Sequence, residues 1–268
     1  SLNFKDLIRQ LSPSKVLCLD DLAPKRSKNK ALITSDRIKG SILYVDTVKS
    51  QDKDEVVKYL EKLKRLGIEE ADCFIVDMWK SFPFAIKEVF PKAKIQYDYF
   101  HIWQDINRHL EGAVREYCKF LREDGFNTLA TDLWKHRKVL LVNPNNPKKM
   151  TEKTRKRIRE FQETHKGTIV EDVLTLKDRI RDIFENSKTQ NEAHFKKNQL
   201  YYENWYKKSL HFKKIIQLFM WPPYCYNMFT YLKEPDVPRS GNSENSIKVV
   251  RSWEKVRYGF QTIKGLQD

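Results

Sequence analysis

Two short apolar runs, Leu17-Cys18-Leu19 and Phe74-Ile75-Val76, each close on an aspartate, Asp20 and Asp77. Runs of this kind read as buried strands, so both carboxylates should emerge at strand ends. Taken singly, such an aspartate most often caps a loop or a helix. Asp21 competes with Asp20, because neighbours along a strand point to opposite faces. Glu244 is the third acid of interest. It falls in the first turn of a helix expected from about Asn242 to Gly259, one turn before Ile247 and two before Val250, at the edge of the apolar stripe. A carboxylate there costs free energy unless it is paired or holds a cation. An i,i+4 ion pair with Lys248, together with the favourable helix-dipole position, is the plainer explanation. Lys248, Arg251 and Lys255 fall on a neighbouring face of the same helix, where a phosphate backbone beside a metal site would need positive charge.

Three carboxylates meeting at one point repel each other, and hard divalent cations such as Mg²⁺ relieve that repulsion through oxygen ligation. Two such ions, roughly 3.5–4 Å apart, can activate a water or a 3′-hydroxyl and stabilise the leaving oxygen of an in-line phosphoryl transfer. The competing chemistries have no local signature: the chain has no Walker A loop, G-x-S-x-G elbow, H-E-x-x-H pair or paired CxxC.

The acids need a scaffold. VLCLDD, NKALITSD and SILYVDTV predict three consecutive strands, followed by a helix over Asp52–Leu66 that Gly67 should stop. Asp72–Val76 predicts a fourth strand, Phe82–Phe90 a short helix and Ala93–Tyr97 a fifth strand. The order βββαβαβ is that of a mixed α/β sheet. After His101 the text turns to amphipathic helices, over Ile102–Leu121, Glu152–His165, Val170–Phe184 and Gln190–Lys208. Pro235 and Pro238 close this block ahead of Ser240. The domain reading is therefore a first core segment over 1–101, a helical insertion over 102–238 and a final helix of the core over 239–268. The segment KKMTEKTRKRIR reads as a solvated charged helix face, with nucleic-acid contact as the alternative.

The balance of 51 Lys and Arg against 36 Asp and Glu gives a net charge of +15, which favours a polyanionic partner. An anionic membrane would also satisfy that charge, but no apolar run approaches the roughly 20 residues of a span and no signal-peptide pattern opens the chain. Nucleic acid is the expected partner, bound mainly through phosphate contacts. Cys18, Cys73, Cys118 and Cys225 are widely separated and read as reduced core thiols.

VLCLDDLA, IVDMWKSFPFAIKEVFPKAKIQYDYFHIWQDINRHLEGAVRE and the closing SGNSENSIKVVRSWEKVRYGFQ resemble the ISL-three family of DDE transposases from bacterial insertion sequences, over nearly the whole chain. The resemblance implies a ribonuclease H-like fold, with a large all-helical insertion before the last catalytic helix. It also implies a catalytic, metal-binding triad of Asp20, Asp77 and Glu244 holding two Mg²⁺ or Mn²⁺ ions, and it favours Asp20 over Asp21. The usual second acid of the family is Glu where this chain has Asp21. Asp98 and His101 match a short element near the family's active site, although a hydrogen-bonded histidine at a helix start explains His101 equally well. Ser240, Asn242 and Tyr258-Gly259-Phe260 follow the pattern in structural roles.

The implied activity is metal-dependent DNA strand cleavage and strand transfer at element ends, by a homodimer in a synaptic complex within a bacterial or archaeal cytoplasm, associated with the nucleoid. The alternatives are a decayed or domesticated transposase that binds DNA without turnover, and a structure-selective nuclease that hydrolyses without joining. The family's N-terminal zinc-binding and helix-turn-helix region does not precede Ser1, and relatives generally continue past Asp268, so the expected form is a trimmed catalytic core or a truncated element.

Overall fold

The computed structural model describes residues 12–22, 30–143, 145–221, 224–241, 247–249 and 252 of the 268. They divide into two units, one of Ser1–Ile102 with Tyr226–Asp268 and the other of Trp103–Cys225.

The first unit is built on five strands: β1 (Val16–Leu22), β2 (Lys30–Asp36), β3 (Ile42–Val48), β4 (Cys73–Val76) and β5 (Lys94–Tyr97). Their order across the sheet is β3-β2-β1-β4-β5. β1, β2 and β3 pair antiparallel, while β4 joins β1 and β5 joins β4 in parallel. This mixed five-stranded sheet with its helices is the ribonuclease H-like α/β architecture expected from the sequence.

Helix α1 (Lys53–Arg65) carries acids in its first turn and bases in its last, matching the helix dipole. Gly67 follows at φ 114, a conformation that disfavours other residues and ends the helix. The α1 side chains Val56, Tyr59, Leu60 and Leu63 are buried. The Tyr59 hydroxyl lies 2.9 Å from Thr34 Oγ1 and donates to Tyr44 O at 3.1 Å, which fixes α1 over β2 and β3. Helix α2 (Ser81–Val89) links β4 to β5 and buries Phe82, Ala85, Ile86 and Val89.

Alternation along β1 sends Leu17 and Leu19 to one face and Cys18, Asp20 and Leu22 to the other. The second face is covered by the C-terminal part of the chain. Val237 and Tyr231 pack with Cys18, Cys73 and Ile75, and Ile247 packs with Leu22, Ala31 and Ile33. Gln96 ties that return segment to β5, donating to Met228 O and accepting from Tyr231 N, both at 3.0 Å.

The second unit is helical among its described residues. Helix α3 (Tyr99–Glu123) starts in the first unit and runs into it, and α4 (Asn127–His136), a 3₁₀ turn (Arg137–Leu141), α5 (Glu152–Thr164), α6 (Ile169–Asn186), α7 (Gln190–Tyr202), α8 (Trp205–Lys208) and α9 (Leu210–Met220) follow. Thr151, Thr168, Thr189 and Ser209 each cap the next helix through their side-chain oxygen. The sequence had suggested one helix over Gln190–Lys208. It is broken instead at Asn204, whose φ of 60 is left-handed, a conformation asparagine tolerates better than most residues. Helices α4 and α9 were not anticipated. In the charged segment, Arg157 is bound to Asp132, donates to Glu160 at 2.9 Å and lies over the Phe161 ring. That side chain is thus engaged within the helical unit. All four cysteines are buried thiols, as the sequence suggested.

Lys177 is buried in this unit, its ammonium donating to Leu140 O and to Val142 O at 3.3 Å. Burial, reinforced by Arg181 and opposed by Asp178, lowers its pKa to about 8. Between that value and the unfolded value of about 10.4 the unfolded chain binds more protons than the folded one, so stability rises with pH across this window. Below the window, where both states are protonated, the cost of charging the buried amine is fully present. A Lys177→Met protein should show a flatter rise between pH 8 and pH 10, by on the order of 3 kcal/mol at the upper end. Urea melts of the two proteins across that range would measure it, and parallel curves would refute it.

Candidate functional site

The strand register lines up three aspartates. Leu19 pairs with Val76, and Val76 with Tyr97, so the next residues on three adjacent parallel strands are Asp20, Asp77 and Asp98. They also continue the face of Cys18, Ile75 and Gln96, because each lies two residues further along its strand. Neighbouring strands stand about 4.8 Å apart, which makes this a row of acids at the carboxyl edge of the sheet.

The three are used differently. Asp98 Oδ1 accepts from Phe100 N at 2.9 Å and Oδ2 from Gly241 N at 3.1 Å. It caps α3 and ties down the strand-to-helix return, and this contact starts α3 three residues earlier than the sequence periodicity suggests. Residues 239–241 are held to the same edge: Tyr99 N donates to Arg239 O at 3.3 Å, and the Arg239 guanidinium lies 3.9 Å from the Tyr99 ring centroid. Asp77 Oδ1 accepts from Met78 N at 2.6 Å, leaving Oδ2 toward the site. Asp20 Oδ1 accepts from Asp21 N at 2.7 Å, while its buried Oδ2 accepts no hydrogen bond among the described residues. Asp21 is half-buried and turned to Lys30, 3.5 Å away.

His101, in the first turn of α3, stands between two of the acids. Its Nε2 is 3.5 Å from Asp20 Oδ2 and its Nδ1 is 3.9 Å from Asp77 Oδ2, both too long for a well-formed hydrogen bond. Burial alone would lower the imidazole pKa, but its contact with Asp20 and the charges of Asp77, Asp20 and Asp98 outweigh that and raise it to about 9. The ring is therefore a cation at neutral pH. Burial raises the carboxyls of Asp77 and Asp98, with the His101 charge partly opposing it in both.

Among the described residues no three His, Cys, Asp or Glu side chains are grouped tightly enough to hold a metal ion as they stand. Two features nevertheless suit a hard cation: the buried Asp20 Oδ2, which accepts no hydrogen bond among the described residues and faces His101 Nε2 at a long 3.5 Å, and a second carboxylate one strand away. Glu244, Arg251 and Lys255 lie outside the described residues; Lys248 lies within them and is exposed. The structure thus brings together Asp20, Asp77, Asp98 and His101 from the residues singled out in the sequence.

Two side chains at this edge carried no sequence signal. Trp79 is 40% exposed two residues after Asp77, and the Lys30 ammonium sits 4.8 Å from its ring centroid. Their partnership depends on tertiary structure, since 49 positions separate them.

No helix among the described residues is long and apolar enough to cross a membrane. Comparison with curated proteins finds no match. A family model described as a transposase, that of the ISL-three group, matches residues 17–266. A match of that extent, on a chain with this sheet, means that the protein belongs to the ISL-three family of transposases.

Proposed function

We propose that this transposase cuts DNA strands at element ends and joins them to target DNA in a metal-dependent reaction centred on Asp20 and Asp77, with Glu244 as the third carboxylate. The observation that carries this reading is the placement of Asp20 and Asp77 one step beyond the Leu19–Val76 pair of two adjacent parallel strands, with Asp20 Oδ2 buried and accepting no hydrogen bond among the described residues. His101 Nε2 stands 3.5 Å from that oxygen, too far for a well-formed hydrogen bond, which leaves its lone pairs for a hard cation. Support for Glu244 comes from its surroundings in the chain: Gly241 is bonded to Asp98, and Ile247 packs beside Leu22 at the end of β1.

In this mechanism Asp20, Asp77 and Glu244 would hold Mg²⁺ or Mn²⁺, two ions being proposed, through their carboxylate oxygens. The bound metal would supply activation of a water or 3′-hydroxyl and charge stabilisation at the leaving oxygen. Asp98 holds α3 and residues 239–241 in register with the acids. Before metal binds, protonated His101 stands between the Asp20 and Asp77 carboxylates and offsets their repulsion. The net charge of +15, with Lys248, Arg251 and Lys255 following Glu244 in the sequence, draws in the phosphate backbone. The helical unit is proposed as an insertion that shapes the DNA path, and two copies of the chain as the partners in a synaptic complex in the cytoplasm.

Incubating the protein with terminal-repeat DNA and a target duplex, with Mg²⁺ or with EDTA, tests the assignment. Joined products that appear only with Mg²⁺ are expected. Hydrolysis without joining would mark a nuclease, and binding without either product would mark a decayed transposase.

A further inference from the structure

Two large aromatic residues follow the acid row: Trp79, in the loop two residues after Asp77, and Phe100, in the first turn of α3 two residues after Asp98. Each is 40% exposed, although rings of this size usually bury. Both are held by residues of the site. The Lys30 ammonium lies over the Trp79 ring and is itself fixed by Gln51 Oε1 at 2.6 Å and Asp21 at 3.5 Å. The Phe100 ring meets the His101 ring edge-on at 5.5 Å and 77°.

A fixed, exposed ring loses little conformational freedom when something stacks on it. A purely apolar partner would be a poor match, because Lys30 lies over the Trp79 ring and burying it would strip water from its charge. Nucleobases fit better. They present flat π-faces and carry phosphates, and rings interleaved with cations are the means by which proteins grip single strands. Paired bases in a duplex hide those faces, so the ligand must be unpaired.

We infer that Trp79 and Phe100 form a stacking site for unpaired nucleobases beside the phosphate addressed by Asp20 and Asp77. The inference rests on the reading of the acid row as a DNA site, but its test needs no metal and no turnover. Fluorescence anisotropy in EDTA compares three DNAs: a blunt duplex, the same duplex with two unpaired end nucleotides, and that frayed duplex with the unpaired bases replaced by abasic sites.

The protein should bind the frayed duplex about tenfold more tightly than the blunt one, the ratio that some 1.4 kcal/mol of stacking produces. The abasic duplex should lose that preference. Trp79→Ala should abolish it and Trp79→Phe keep part of it, while Phe100→Ala should reduce it. A 2-aminopurine at the unpaired position should be quenched by the parent and not by Trp79→Ala. Equal affinity of the parent for frayed and blunt DNA, or a preference that survives abasic substitution, would overturn the inference without depending on any variant's folding. A preference retained by a folded Trp79→Ala protein would overturn it equally. Stacking without cleavage would sink the proposed catalysis and leave this site standing; cleavage without any frayed-end preference would do the reverse.

Discussion

Asp20→Asn and Asp77→Asn proteins should each lose Mg²⁺-dependent strand cleavage by about 10³-fold, since a metal ligand contributes several kcal/mol of transition-state stabilisation and every 1.36 kcal/mol is tenfold in rate. The amide keeps the shape of the carboxylate and removes its charge, so the loss reports on chemistry rather than on packing. DNA affinity should stay level or rise, because deleting an anion from a basic surface removes repulsion toward phosphate. The two aspartates sit on adjacent strands and flank one imidazole, so their losses should be far from additive in the double variant. Single-turnover cleavage of a labelled terminal-repeat duplex, read beside anisotropy in EDTA, separates the two effects. An Asp20→Asn protein that cuts at the parental rate would remove Asp20 from the mechanism, and a parallel fall in DNA binding would make it a structural residue.

Much of the sheet was legible because its strands are short apolar runs bounded by turn residues, and the helix over 53–65 because its apolar stripe ends at a glycine. The acid row was legible only in part. Asp20 and Asp77 announce themselves by the runs before them, but their adjacency depends on β4 docking beside β1 rather than beside β3, a choice made by long-range packing. Asp98 follows β5 as Asp77 follows β4, while Asp20 lies within β1, yet both Asp98 oxygens hold backbone N–H groups. That difference is set by where residues 239–241 return, and no local pattern encodes it. His101 could be read equally as a helix-start histidine or as a site residue. Its position in the first turn of α3, between two acids, agrees with either reading. Helix α9 was not anticipated, although its cap, Ser209, and its buried Phe212, Ile215, Ile216 and Phe219 carry a helical signal. Glu244, Arg251 and Lys255 rest on sequence alone.

Asp36 provides the opposite expectation from the same residue type in the same sheet. It too is fully buried at a strand end, but all of its acceptor capacity toward neighbours is in use: it accepts from Ser14 N at 2.5 Å, Ser14 Oγ at 2.7 Å, and Ile38 N and Lys39 N at 2.8 Å. Burial pushes its carboxyl up, and the hydrogen bonds from Lys39, Ser14 and Ile38 more than reverse this, so its pKa lies below the ordinary carboxylate value. Asp36→Ala leaves those donors without their acceptor and should destabilise the protein by about 3 kcal/mol, while cleavage per folded molecule stays near the parental level. Because the folded pKa is depressed, the stabilisation is complete above the unfolded value of about 3.9 and fades as pH falls through the folded one. The deficit of Asp36→Ala should therefore be full at pH 7 and shrink toward the acid end. Asp20→Asn should cost much less than Asp36→Ala at pH 7, since the amide can still accept from Asp21 N and gives up only the long ion pair with His101 at 3.5 Å. Urea melts paired with cleavage rates place each variant on both axes. If Asp36→Ala proved as stable as the parent, or Asp20→Asn unfolded as readily as Asp36→Ala should, then hydrogen-bond satisfaction would not distinguish the structural aspartate of this sheet from the chemical one.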